Sequence, residues 1–204
     1  MSVVIVGAAG HGREVLDVVE GCGLVFGGFV DDGHPDLAGL ERRGAALLGG
    51  MDRLEGHDGP VLLGLGDSST RRRLGESLDG TVIWLEALVH PQASIGSVVT
   101  LGAGTVVTAG ARLTTGIAVG PHGYVGPNAT IGHDTVLEAY VTVLPGATVS
   151  GNVHLGAGVS VGTGANLRQG VNVGAGSVVG AGAVVLDDVA PGTTVVGIPA
   201  RPLG

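Results

Sequence analysis

From Ile95 onward an aliphatic residue returns at every sixth position without a miss. Ile95, Leu101, Val107, Leu113 and Val119 begin a series of sixteen that ends at Val185. Few chains can satisfy a period of six. Neither a helix nor an alternating strand places one residue type on one side at that spacing. A repeat of this kind signals a parallel β-helix, in which each hexad supplies one short strand and one turn, and three hexads close a triangular coil. The aliphatic first position then points into a narrow core. The fifth position, small or Val as at Ala111, Ala129, Ala147 and Ala165, fits beside it. The second position is Gly in nine of the sixteen hexads, and glycine tolerates corner dihedrals. Sixteen hexads make about five coils, a prism roughly 25 Å tall at the usual strand spacing.

The first 88 residues follow another grammar. SVVIVG reads as a buried strand, HGREVLDVVEGCG as a helix with Val15, Leu16, Val18 and Val19 on one face, and LVFGGFVDD as a second strand. GPVLLGLGDSS is a third strand, STRRRLGESLDG a second helix with Ser or Thr as cap, and TVIWL a fourth strand. Strands alternating with helices imply a small parallel, Rossmann-like sheet, because parallel strands need crossovers. The expectation is an α/β domain over 1–88, followed by a β-helix domain with a C-terminal tail over 89–204.

Composition agrees. Aromatic residues are only 2% of the chain, yet 44% is hydrophobic and 41 residues are Gly, which suits a repetitive architecture that still has much to bury. A net charge of −8 without a basic stripe argues against nucleic acid as a partner. Cys22 is the single cysteine, so neither an intrachain disulfide nor a cysteine metal cage is available. The N-terminus opens directly on a strand pattern, and no apolar run approaches the length of a membrane span. The expectation is a soluble, cytoplasmic protein.

Two short stretches stand out chemically. His133 and Asp134, in TIGHDTV, occupy the third and fourth positions of their hexad, at an outward-facing corner. They are either a solvated turn or a base with an adjacent carboxylate, since histidine is the side chain whose ordinary pKa suits proton transfer near neutrality. GAAGHG, residues 7–12, follows a strand and opens a helix. It is either a plain tight turn or a cradle of backbone N–H groups for phosphates. Its spacing is not that of the dinucleotide fingerprint.

The hexads, together with VVIVGAAGHGREVLDVV, GFVDD, GLGDSSTRRRL and VVGIPARPL, resemble the hexapeptide-repeat, left-handed β-helix acyltransferases. Within them the chain is similar to the sialic acid O-acetyltransferase NeuD family, which includes PglD-type N-acetyltransferases of UDP-4-amino sugars. The resemblance implies a homotrimer with active sites in the clefts between prisms, acetyl-CoA lying along the β-helix, and a nucleotide sugar held by the N-terminal domain. It implies His133 as general base and Asp134 as its orienter. Ala9, Gly10, His11, Asp31, Asp32 and Gly66 fall where the family contacts the nucleotide sugar. Gly151, Thr163 and Ala181 fall where relatives contact acetyl-CoA, and Thr142 stands where many relatives carry another cofactor-holding His.

The resulting expectation is direct transfer of acetyl from acetyl-CoA to the amine of a UDP- or dTDP-linked 4-amino sugar. No covalent nucleophile is credible, because Cys22 reads as a small buried hydrophobe. The alternatives are O-acetylation of a sialic-acid-like sugar and a non-catalytic nucleotide-sugar-binding trimer. His90 reads as structural, and His122 and His154 as corner or edge residues. Zinc chemistry by His122, His133 and His154 is disfavoured, since three His would have to converge, and no metal is expected.

Overall fold

The computed structural model describes residues 2–203. The first part is a five-stranded parallel sheet in the order β3-β2-β1-β4-β5. Its strands are β1 (Ser2–Val6), β2 (Val25–Val30), β3 (Leu47–Gly49), β4 (Pro60–Leu63) and β5 (Ile83–Trp84), with helices α1 (Gly10–Gly21), α2 (Leu37–Arg43) and α3 (Ser68–Leu78) as connections. The α1 face of Val15, Leu16, Val18 and Val19 is buried, in one core with Ile5, Phe29 and Leu62.

Two details differ from the sequence expectation. First, α2 and β3 intervene between the second and third expected strands. Their signals are ordinary: Asp36 caps α2 by accepting from the Gly39 N–H at 3.0 Å, and Gly44 ends it in the left-handed region at φ 68°. Second, α3 is capped by Asp67 rather than by Ser or Thr. Its carboxylate accepts from the Thr70 N–H and the Ser69 hydroxyl, both at 2.7 Å, which holds its pKa below the usual value.

From Leu88 the chain winds into a prism of two-residue parallel strands on three faces. One coil is 18 residues, so each strand pairs with the one 18 residues on, as Leu113 does with Ile131 and Ile131 with Val149. Face A carries Arg112, Thr130, Thr148 and Asn166 outward; face B carries Ala118, Val136, His154 and Asn172; face C carries Val106, Tyr124, Thr142 and Ser160. Inside runs one aliphatic column that includes Ile131, Leu137, Val143 and Val149, all at most 1% exposed.

The glycines divide their labour otherwise than expected. The left-handed corner is the fourth position of the hexad, at φ near +70° at Gly104, Gly116 and Gly146. The second-position glycines serve close approach. A Cβ on Gly132 would lie 2.5 Å from the Gly151 nitrogen of the next coil. At the fourth position several corners carry a side chain despite its cost, among them His122 at 57°, Asp134 at 57° and Tyr140 at 62°.

Face C is where the two parts join. Leu88, Val106 and Tyr124 are buried in the same core as α1 and the sheet. Beside them His122, 5% exposed, stacks on Tyr140 with ring centroids 5.0 Å apart and meets the edge of Trp84 at 4.5 Å. A Cβ on Gly75 would lie 2.6 Å from the Tyr140 hydroxyl, so α3 needs its glycine to come this close. The large corner side chains are thus an anchor for the α/β part, and His122, expected as a corner or edge residue, is a buried corner. Among the described residues no helix is long and apolar enough to cross a membrane.

Candidate active site

The corner between faces A and B holds the His–Asp pair. His133 Nδ1 lies 2.8 Å from Asp134 Oδ2, and both side chains are about half exposed, at 49% and 62%. The left-handed backbone at Asp134 turns its carboxylate back along the corner to meet the preceding imidazole. With Nδ1–H donating to the carboxylate, Nε2 is left unprotonated and outward. Directly above lies Gly151, 18 residues on. A Cβ there would sit 2.5 Å from His133 Nε2. The ring occupies the space that glycine leaves, and the Gly151 N–H donates to no protein acceptor among the described residues.

The remaining acetyl-CoA positions lie elsewhere on the prism. Thr163 and Ala181 stack on the corner between faces C and A, both exposed, joined by the Gly182 N–H donating to the Thr163 carbonyl at 2.8 Å. Thr142 lies on face C and is only 1% exposed. Its Oγ1 accepts from Arg71 Nη2 at 2.7 Å. Within one chain the Thr142 hydroxyl is therefore engaged inside the protein, under the α/β part, on a different side of the prism from His133.

The expected nucleotide-sugar positions gather at the carboxyl ends of β1, β2 and β4, where open α/β sheets bind ligands. Ala9 precedes α1 without any side-chain cap, and a Cβ on Gly10 would meet nothing within 4 Å, so the first N–H groups of α1 are open to an anion. Gly66 comes over His11, where a Cβ would be 3.5 Å from the ring. Asp31 is committed to the protein's own turns, accepting from the Ala8 N–H at 2.7 Å and the Gly33 N–H at 2.8 Å. Asp32 accepts from the Met51 N–H at 2.8 Å through one oxygen and keeps the other free. Both carboxylates border a cleft of about 400 Å³ walled by Met51, Leu65, Thr70 and Arg73. Arg73 is exposed, with no protein hydrogen-bond partner among the described residues. Sequence reasoning passed over it because three arginines stand in a row on α3 and only the fold tells them apart.

His11 is mostly buried, its ring 4.4 Å from that of Tyr124 and its Nδ1 3.5 Å from Glu14 Oε2. Burial first, and then the charge of Arg71, lowers its pKa from 6.5 to about 4, so the imidazole is neutral at pH 7. His122 is lowered to about 4 in the same way, and its Nδ1 has no partner among the described residues. His90 Nδ1 accepts from the Gln92 N–H at 3.1 Å, a local turn contact. His154 lies on face B, 2.9 Å from Glu138. His122, His133 and His154 therefore point to three different places on the prism. Among the described residues no group of three or more His, Cys, Asp or Glu is arranged to hold a metal.

Within one chain, then, the pieces separate. The cleft of the α/β part lies over face C, His133 and Gly151 at the A/B corner, and Thr163 and Ala181 at the C/A corner.

A β-helix prism bearing an α/β domain on one face, with a His–carboxylate pair at an open corner, is suited to group transfer, and known proteins share this two-part fold over nearly their whole length. Residues 2–78 match the family model described as the PglD N-terminal domain. The perosamine N-acetyltransferase of Caulobacter crescentus, solved as a mutant with CoA and GDP-perosamine, is 28% identical, with a TM-score of 0.92 over 100% of this chain and 97% of that one. The acetyltransferase domain of PglB from Neisseria gonorrhoeae, also solved with acetyl coenzyme A, is 32% identical, with a TM-score of 0.88 over 99% of both chains. WeeI from Acinetobacter baumannii AYE is 29% identical, with a TM-score of 0.87 over 100% of both chains. No curated protein sequence matches the chain. The chain belongs to the PglD-like branch of the hexapeptide-repeat, left-handed β-helix acyltransferases.

Proposed function

We propose that the protein transfers the acetyl group of acetyl-CoA to the amine of a nucleotide-linked amino sugar, by direct attack with His133 as general base. The observation that carries the reading is the His133–Asp134 pair, 2.8 Å apart, with the second imidazole nitrogen next to Gly151 of the following coil. Nε2 accepts the amine proton as the nitrogen attacks the thioester carbonyl, while Asp134 fixes the tautomer and balances the imidazolium that forms. The Gly151 N–H, next to the ring, is the donor we assign to the oxyanion of the tetrahedral intermediate. When that intermediate collapses, the C–S bond breaks and the sulfur takes the proton back from His133. The products are the acetamido sugar and CoA.

On this reading residues 1–88 bind the nucleotide sugar. The diphosphate lies at the open N-terminus of α1, beside Ala9, Gly10 and His11, with Arg73 as counter-charge. Asp31 and Gly66 shape the cleft, and Asp32 offers its free oxygen to the nucleoside. Residues 89–204 carry the transferase. Because the three groups of residues lie at different corners of one prism, the complete site is assigned to a homotrimer, in which the A/B corner of one subunit meets the C/A corner, with Thr163 and Ala181, and the α/β cleft of the next. The solved relative with GDP-perosamine and CoA supports a nucleotide-linked amine acceptor and widens the choice of nucleotide beyond UDP and dTDP.

The test is a thiol-release assay with acetyl-CoA against GDP-, UDP- and dTDP-linked 4-amino sugars, with free sialic acid included. Release with one amino sugar, giving an amide product, supports the reading and names the acceptor. Release only with the hydroxyl acceptor replaces it with O-acetylation. A protein that binds CoA and nucleotide sugar but releases no thiol from any of them contradicts it.

A further inference from the structure

Arg71 is the buried charged side chain of α3, only 2% exposed, and no step above uses it. No carboxylate among the described residues lies within ion-pair distance of it. Burying a guanidinium without a counter-ion is costly, and burial accordingly lowers its pKa to about 10. Its charge is met by backbone dipoles and one hydroxyl. Nη1 donates to the Leu65 carbonyl at 2.7 Å and to the Gly66 carbonyl at 3.3 Å, in the turn after β4. Nε donates to the His122 carbonyl at 3.1 Å, and Nη2 to the Tyr140 carbonyl at 2.9 Å and Thr142 Oγ1 at 2.7 Å, on two successive coils of the prism. A planar fork of five donors can serve acceptors from two domains at once, which a point-charge ammonium cannot. One of the two tethered parts, the Leu65–Gly66 turn, covers His11 and walls the cleft.

We propose that Arg71 is a positioning residue for the nucleotide-sugar pocket: it fixes the Leu65–Gly66 turn to the β-helix and so sets the pocket's shape from the transferase side. The inference rests on the pocket assignment made above, though not on the identity of the transfer reaction. Its rival is a plain clamp between domains, whose loss weakens everything equally.

The experiment measures Kd for UDP, dTDP and GDP and, separately, for acetyl-CoA by calorimetry, with thermal melting of every variant. Arg71→Lys is expected to weaken the preferred nucleoside diphosphate at least tenfold and to leave acetyl-CoA within twofold. Thr142→Val removes one acceptor of the fork at a position outside the cleft. It is expected to weaken the nucleotide several-fold in the same direction, and it decides the matter if Arg71→Lys does not fold. Ser68→Ala serves as control. The Ser68 hydroxyl donates to the Gly158 carbonyl at 2.9 Å across the same junction without touching the turn, and its loss is expected to move neither affinity. Nucleotide affinity unchanged in the Arg71 and Thr142 variants overturns the proposal, as does a parallel fall in both ligands. A wild type that binds none of the three nucleotides overturns it too. Failure of acetyl transfer in the wild type is read by thiol release and bears only on the proposed reaction.

Discussion

Gly151→Ala changes one hydrogen for a methyl group, and its consequence can be worked out from the coil geometry. The new Cβ would stand 2.5 Å from His133 Nε2, 2.7 Å from Cε1 and 2.8 Å from Cδ2. Ordinary contact is about 3.5 Å, so the free edge of the ring must retreat by about 1 Å. Gly151 is not among the glycines with positive φ, so alanine meets no backbone strain there. The obstacle is the end of a half-exposed side chain, which can swing away. Stability should therefore change little. The ring, however, cannot move by that amount and keep both its 2.8 Å bond to Asp134 and the direction of Nε2. A misplacement of about 1 Å can cost on the order of 100-fold in rate. The expected result is a kcat about 100-fold below wild type in the thiol-release assay, with the melting temperature close to wild type. A wild-type kcat would refute the idea that the glycine makes room for a working imidazole. A collapse of the fold would refute the claim that the side chain, rather than the coil, yields.

Gly132→Ala is the counterpart, because its Cβ would meet main chain: the Gly151 nitrogen at 2.5 Å and the Ser150 carbonyl carbon at 2.6 Å. Two stacked coils cannot part cheaply, and a loss of about 3 kcal/mol is expected by chemical denaturation; an unchanged midpoint would contradict the close-approach role of second-position glycines. Asp134→Asn keeps a residue that tolerates the left-handed corner but removes the charge, so it should lower kcat about tenfold or more, at unchanged melting temperature; full activity would show that the carboxylate is only a turn residue. Stability should also fall with acid. His11 and His122 are lowered from 6.5 to about 4, by burial first and then by Arg71, so between those values the unfolded chain takes up protons that the folded one does not. Stability is then full above pH 6.5, falls as pH drops toward 4, and loses at most about 3 kcal/mol per histidine. Equal unfolding free energies at pH 7 and pH 4.5 would contradict the buried, neutral state of both.

Much of this was legible in the chain, and what was missed has a common cause. The inner column of the prism is a strict pattern in residue type, so the hexads from Ile95 to Val185 fixed both the architecture and the outward corner at His133. The two glycine positions look alike in sequence, since each is filled by Gly about equally often. Only backbone geometry separates the left-handed fourth position from the crowded second. The place of Thr142 was not legible either: nine residues from His133 is half a coil, which leads to the opposite side of the prism, whereas Gly151 at eighteen residues returns to the same corner. Arg71 left no signal at all: its partners are mostly main-chain carbonyls, and those on the prism lie 51 to 71 residues away. His122 and Tyr140 did leave one, as aromatic side chains at corners that mostly take Gly or Asn. Read as corner residues, they are the points where the second domain docks.

Acetyl transfer by this protein is assigned to His133 as the base. The direct measurement is the single-turnover rate of thiol release by wild type and His133→Ala with the preferred amino sugar, both shown to bind acetyl-CoA and the nucleotide sugar. The expected result is a loss of about 100- to 10,000-fold in rate with both affinities preserved. A His133→Ala protein that transfers acetyl at the wild-type rate would contradict it.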